Sequence, residues 1–301
     1  MESIYLFILI GLITLAFADL IVGVSNDAVN FLNSAIGSKV LSFKTLMIVA
    51  SIGVFVGCVF SSGMMEVARK GIFNPGEFMF NEIMIIFMAV MITDIFILDL
   101  FNSWGLPTST TVSIVFELLG ASVAMALIKI GIDSGSFSDL AIYINTSKAT
   151  QIIMGILLSV FIAFSVGAIV QWVSRVLLSY NYKNKSTWVG SVFGGIALTA
   201  ISYFILIKGI KGTSFAGESF DLIGGMTINN FLESNVISII IYSSIIWTLI
   251  SFLLVKLFKT DIYKVIIAVG TFALALAFAG NDLVNFIGCL LYTSPSPRDR
   301  G

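Results

Sequence analysis

Two short runs hold most of the chemistry this chain can perform. Asn26, Asp27 and Asn30 stand in Asn26-Asp27-Ala28-Val29-Asn30-Phe31. Asn281, Asp282 and Asn285 stand in Asn281-Asp282-Leu283-Val284-Asn285-Phe286, near the other end. Five of the six positions agree, and an Ala-, Phe- and Leu-rich segment precedes each copy. Asp27 and Asn30 are three apart, so on a helix their side chains share one face. Carboxylate and amide oxygens so placed suit Na⁺, which as a hard cation takes oxygen ligands. Ser25 and Asn26 are cap-forming residues. A helix starting there, at membrane depth, would turn free N–H groups toward an anion. The expectation is a broken helix that starts at Ser25–Asn26 and buries Val29, Phe31, Leu32 and Ile36 against protein.

A second cluster is Gly105-Leu106-Pro107-Thr108-Ser109-Thr110-Thr111. Pro107 suits the first turn of a helix, where a missing N–H costs nothing. Capping and back-bonding to the helix account for one hydroxyl. Four in succession beside a helix N-terminus exceed what a cap needs and predict a ligand site.

Asp19, Asp94, Asp99 and Glu117 fall within or beside apolar runs, as do Asp27 and Asp282. An acid at the bilayer centre costs at least roughly 2.5–3.5 kcal/mol. No Lys or Arg falls in the middle of an apolar run, so bound cations or protons must offset these charges. For Asp19 and Asp99, near predicted segment ends, a cap or a snorkelling side chain suffices.

These residues need elements to position them, and composition says which. The 301 residues are 58% hydrophobic and 11% charged, with mean hydropathy +1.05. That is an integral membrane protein. There is no histidine, which excludes histidine-zinc sites, histidine triads and histidine proton relays. A net charge of −1 carries no nucleic-acid signature. Two dispersed cysteines make neither a disulfide framework nor a metal cluster. No nucleophile–base pair or phosphate-binding loop is present, so an enzyme is not expected. The chain opens Met-Glu-Ser without a positive charge, which favours a retained first helix over a cleaved signal peptide.

Runs of about 20 apolar residues mark transmembrane helices. Eight are predicted, at 3–22, 44–63, 83–101, 107–130, 150–178, 188–208, 236–257 and 262–279. The segment from Leu222 to Phe231 is left open between a surface and a re-entrant placement. Lys and Arg are slightly more numerous on the side opposite the N-terminus, which favours an outside N-terminus. The two Asn-Asp motifs begin seven crossings apart and therefore start from opposite faces. That parity describes an inverted repeat, an architecture of secondary transporters with sites at the repeat interface.

Together these motifs resemble the inorganic phosphate transporter (PiT) family. Its members pair a G-x-N-D-x-x-N motif with a later P-x-S-T-T motif in each of two inverted repeats. Gly23, Asn26, Asp27 and Asn30 with Pro107, Ser109, Thr110 and Thr111 match the first repeat. Gly280, Asn281, Asp282 and Asn285 open the second. The usual glycine before Asn is Ser25 here, and Val112 stands where many members have histidine. The resemblance implies an all-α, polytopic symporter with broken or re-entrant half-helices, importing phosphate with Na⁺ or H⁺ across a plasma (bacterial inner) membrane. It implies phosphate at Asn26, Asp27, Ser109, Thr110, Thr111, Asn281 and Asp282. Na⁺ would sit at Asp27, Asn30, Thr110, Asp282 and Asn285. Without histidine, Na⁺ is favoured over H⁺ as the coupling ion, and no other cofactor is implied. A homo-oligomer stays open. So do three other readings: a transporter of another oxyanion such as sulfate, a cation channel or exchanger, and a membrane scaffold without transport.

The expected organisation is a first repeat with connecting helices over 1–261, the start of a second over 262–288, and a tail over 289–301. The tail, Cys-Leu-Leu-Tyr-Thr-Ser-Pro-Ser-Pro-Arg-Asp-Arg-Gly, breaks the pattern of small helical residues that follows the first motif. It reads as translated sequencing adaptor at the end of a truncated chain. An uninterrupted read of the genomic locus is expected to show a second P-x-S-T-T downstream. A native stop codon after Gly301 would overturn that expectation.

Overall fold

The computed structural model describes residues 2–59, 72–178, 187–207, 217–220, 224–281 and 283. Among them the architecture is helical, with two isolated β-bridges, Phe73–Ile144 and Ser219–Thr227. In chain order the α-helices are α1 (Glu2–Ser38), α2 (Phe43–Val59), α3 (Phe80–Trp104), α4 (Thr110–Ile132), α5 (Leu140–Tyr143), α6 (Thr146–Leu178), α7 (Thr187–Ile205), α8 (Ile228–Ser234), α9 (Val236–Phe258) and α10 (Ile262–Asn281). Seven are long and apolar enough to cross a membrane, and α2 is a shorter apolar helix. The chain is a polytopic integral membrane protein, as its composition requires.

The main departure from expectation lies in α1. No break occurs at Ser25–Asn26, and one helix runs 37 residues from Glu2 to Ser38. The Ser25 hydroxyl donates to the Ile21 carbonyl at 2.8 Å, one turn back, instead of capping a new helix. No proline interrupts the run, and the polar side chains after Gly23 find partners while the backbone stays helical. At 1.5 Å per residue α1 is about 55 Å long. The hydrocarbon core is roughly 30 Å thick, so α1 must tilt or project beyond it.

The described residues divide into two compact units. One holds the described parts of 1–30, 63–156 and 281–301; the other holds those of 31–62 and 157–280. In the first unit, α1 buries Leu12, Ala16, Asp19, Gly23, Asn26 and Asp27. These recur at spacings of three and four, one stripe of a helix. Leu12 and Ala16 join a core with Phe87, Val90 and Met91 of α3 and Leu118 and Ala126 of α4. Asp19 is therefore not a segment-end acid. It is 2% exposed and mid-helix, because the helix continues for five turns beyond it. Asp99 is exposed near the end of α3, as expected.

The second unit packs through small residues. Gly53 and Gly57 of α2 lie one turn apart and face Ala275 and Ala279 of α10. A Cβ on Gly53 would stand 2.6 Å from the Phe272 carbonyl oxygen. On α7, a Cβ on Gly195 would stand 2.8 Å from Thr248 Cα of α9. In lipid, apolar side chains gain little by leaving one surface for another. Close backbone approach through glycine and alanine supplies the association instead. Replacing Gly53 by leucine is expected to destabilise this unit by at least about 1–3 kcal/mol. Unfolding by denaturing detergent checks this, and a variant as stable as the parent would refute the close α2–α10 contact.

Candidate functional site

The site is assembled in the first unit, where α3 ends and α4 begins. Gly105 stops α3 in a left-handed conformation, φ 68° and ψ 28°. Its N–H donates to the Asn102 carbonyl, and the Leu106 N–H donates to the Phe101 carbonyl, each at 3.0 Å. This pattern satisfies the last carbonyls of the helix. Four residues later Ser109 caps α4, its hydroxyl accepting the Val112 N–H at 3.4 Å. Pro107 therefore precedes the cap and does not occupy the first turn of the helix.

Asn26 ties α1 to this connection. Its side-chain carbonyl accepts the Thr108 N–H at 3.0 Å, and its amide donates to Asn102 Oδ1 at 2.8 Å. Asn102 in turn donates to the Val22 carbonyl at 3.3 Å. Two asparagines thus bridge α1, the end of α3 and the turn into α4.

One residue on, Asp27 joins the two motifs directly. The Thr110 hydroxyl donates to Asp27 Oδ2 at 2.9 Å across 83 residues of sequence. The Asn30 amide donates to Asp27 Oδ1 at 3.0 Å, the expected i, i+3 contact. Asp27 and Thr110 are 3% and 1% exposed, and Asn30 is exposed. A buried carboxylate is costly unless donors meet it. Hydrogen bonds to a charged group are worth about 1.5–3 kcal/mol, so these contacts hold α1 and α4 in register.

Asn26, Asp27, Asn30, Ser109 and Thr110 therefore come together, but in different capacities. Asn26 and Ser109 are engaged in positioning backbone. Asp27 gathers the Thr110 hydroxyl on one oxygen and the Asn30 amide on the other. Thr111 sits on the next position of α4, half-buried. The free backbone N–H groups expected at Asn26 are absent, because that residue lies inside α1. The N-terminus of α4, at Thr110 and Thr111, is the helix start that faces this cluster. Asn281 ends α10 in helical conformation. Its side chain, Asp282 and Asn285 lie outside the described residues, as does the tail from Cys289 to Gly301. Sequence reading missed Asn102. The available signal was its spacing, four and eight residues beyond the buried Leu98 and Asp94 on one face of α3.

The model of the phosphate transporter family matches residues 23–296, a span that includes every residue named in this cluster. The chain belongs to the phosphate transporter family. Among similar proteins is one of Thermococcus kodakarensis, provisionally named a phosphate permease, 26% identical over 88% of this chain and 61% of its own length. Another, of Pyrococcus furiosus and likewise provisionally named, is 26% identical over 88% of this chain and 60% of its own. The chain thus spans about three-fifths of the curated relatives it matches. A solved structure titled the sodium-dependent phosphate transporter shares the fold. Its TM-score is 0.68 at 18% identity, over 95% of this chain and 67% of that one.

In this family member the asparagine bridge is expected to behave as one unit. Asn26→Ala and Asn102→Ala should each destabilise by about 1–3 kcal/mol, by leaving buried partners unsatisfied. The double variant should cost less than the sum. Strict additivity in detergent unfolding would show that the two side chains do not act together.

Proposed function

We propose that the protein serves Na⁺-coupled import of inorganic phosphate across a plasma membrane, the inner membrane in a bacterium. The observation that carries this reading is the Asp27–Thr110 contact. It sets a buried carboxylate against the hydroxyl-rich N-terminus of α4. The family description, the permease names and the sodium-dependent neighbour point the same way.

The chemistry divides between the two sides of that contact. Asp27, Asn30 and Thr110 offer carboxylate, amide and hydroxyl oxygens to a hard cation. The N–H groups of the first turn of α4 have no partner within the helix, and with the helix dipole they favour an anion. The hydroxyls of Ser109 and Thr111 lie beside them. Asn281, Asp282 and Asn285 are proposed as the matching half, with Asn281 and Asp282 toward phosphate and Asp282 and Asn285 toward Na⁺. Asp27 alone would repel phosphate. Na⁺ held between them offsets both charges, so each ligand raises the affinity for the other, as linkage requires.

The test is uptake by the complete protein in liposomes. Phosphate entry should rise with an inward Na⁺ gradient and should be competed by phosphate far better than by sulfate. Asp27→Asn should lower uptake at limiting Na⁺ about 10–100-fold, the equivalent of losing one charge-assisted contact. Uptake unchanged in rate and in Na⁺ dependence would sink the assignment.

A further inference from the structure

The second unit carries a charged end that the candidate site does not use. The turn from α9 to α10 holds Lys256, Lys259 and Lys264 within nine residues, all three exposed. Its backbone is fixed. Lys259 closes α9 in a left-handed conformation, φ 52° and ψ 29°, and the Thr260 N–H donates to the Leu254 carbonyl at 3.2 Å. Asp261 then caps α10, its Oδ1 accepting the Tyr263 N–H at 3.1 Å. A left-handed helix end favours glycine or asparagine, and here it holds a lysine.

Two more helices start at this end. A Cβ on Gly53 of α2 would meet the Phe272 carbonyl of α10, and one on Gly57 would meet the Leu276 carbonyl. Equal steps along both helices mean that α2 and α10 run parallel and in register. Phe43, ten residues before Gly53, is therefore level with Ile262, ten before Phe272, and these two residues open the two helices. Lys44, also exposed, is then level with Tyr263. α7 begins there too. The Trp188 ring lies 5.1 Å from that of Phe252, and a Cβ on Gly190 would stand 3.9 Å from the Tyr263 hydroxyl.

The charge at this end is of one sign. The described acids of the second unit are Glu218, Glu233 and Asp261. Asp261 is engaged in capping α10. Glu218 and Glu233 precede α9, and the 23 residues of that helix carry the chain about 35 Å away from them. Among the described residues no carboxylate pairs with Lys44, Lys256, Lys259 or Lys264. The surface around the lysines is apolar and aromatic. Leu257, Phe258 and Trp188 are exposed, and the Lys256 ammonium lies 5.2 Å from the centre of the Phe252 ring. Tryptophan and tyrosine settle at the headgroup level of a bilayer, and lysine stems run along apolar surface to reach it.

We propose that this end of the second unit binds anionic phospholipid, with the four lysines toward the headgroup phosphates and Leu257, Phe258 and Trp188 toward the acyl chains. Basic clusters of this size at the cytoplasmic ends of membrane helices attract anionic headgroups. The α9–α10 turn lies on the side that the count of Lys and Arg favours as cytoplasmic. An acidic protein would answer the lysines, but a lipid answers the lysines and the apolar side chains beside them together.

Native mass spectrometry of the chain in detergent, titrated with phosphatidylglycerol or phosphatidylcholine, tests this. A lysine near an anionic headgroup is worth about a fivefold gain in affinity. Phosphatidylglycerol should therefore bind at least about tenfold more tightly than phosphatidylcholine. Lys256→Gln, Lys259→Gln and Lys264→Gln should each weaken it about fivefold, and the three together about a hundredfold. Lys148→Gln, in the first unit, should change nothing. Equal binding of the two lipids would overturn the proposal. A preference for phosphatidylglycerol that survives the triple variant would overturn it as well, by placing the lipid elsewhere. Displacement of phosphatidylglycerol by inorganic phosphate would do the same, by showing a site for the free anion. Asp27 and Thr110 take no part in these measurements, so this proposal and the transport reading fail separately.

Discussion

A carboxylate withdrawn from water must be met by donors or by positive charge, and the first unit is organised around meeting Asp27. Its two oxygens accept from Asn30 on its own helix and from Thr110 on another. For Asn30 to reach, α1 must stay helical through residues 26–30. For Thr110 to reach, α3 must stop at Gly105 and α4 must start at Ser109. Asn26 and Asn102 enforce that arrangement by bonding to the turn backbone and to each other. A membrane interior offers no water to take over any of these bonds, so the polar seam and the helix boundaries stand or fall together.

The two units reach close packing by different means. The first fills its core with large side chains, among them Phe73, Phe87, Met84 and Met91, with the polar groups on stripes between. The second brings backbones together through Gly53 and Gly57 against Ala275 and Ala279, and through Gly194 and Gly195 against Ile262, Ser251 and Thr248. Close backbone contact rewards shape without requiring apolar contrast, which lipid cannot provide. Large side chains instead suit a unit that must exclude water from carboxylates. Burial raises the strength of every charge interaction inside it.

The continuous α1 changes how the anion side of the candidate site is read. A break at Ser25 would have provided two facing helix starts, and the described residues of the first unit provide one beside Asp27, at α4. The donors that reach Asp27 are the Thr110 hydroxyl and the Asn30 amide, and Asn26 bonds to the Thr108 N–H and to Asn102. The same continuity explains Asp19. Its place near the end of the first apolar run suggested a cap, but the helix extends well beyond it and carries it into the interior.

Much of this was legible from residue types and spacing alone. Composition required a helical membrane protein, and the i, i+3 step of Asp27 and Asn30 placed them on one face. The N-D-x-V-N-F motif and the Ser-Thr-Thr run were paired by their resemblance to the phosphate transporter family. These are local or compositional properties, which one strand of text can carry. Whether α1 breaks was not legible, because a polar run after an apolar one is compatible with a cap or with a helix whose side chains are answered from elsewhere. Asn102 and Thr108 supply that answer from about 80 residues away. Only the tertiary structure decided which polar groups meet, because the cost of burying each depends on partners that the fold alone brings within reach.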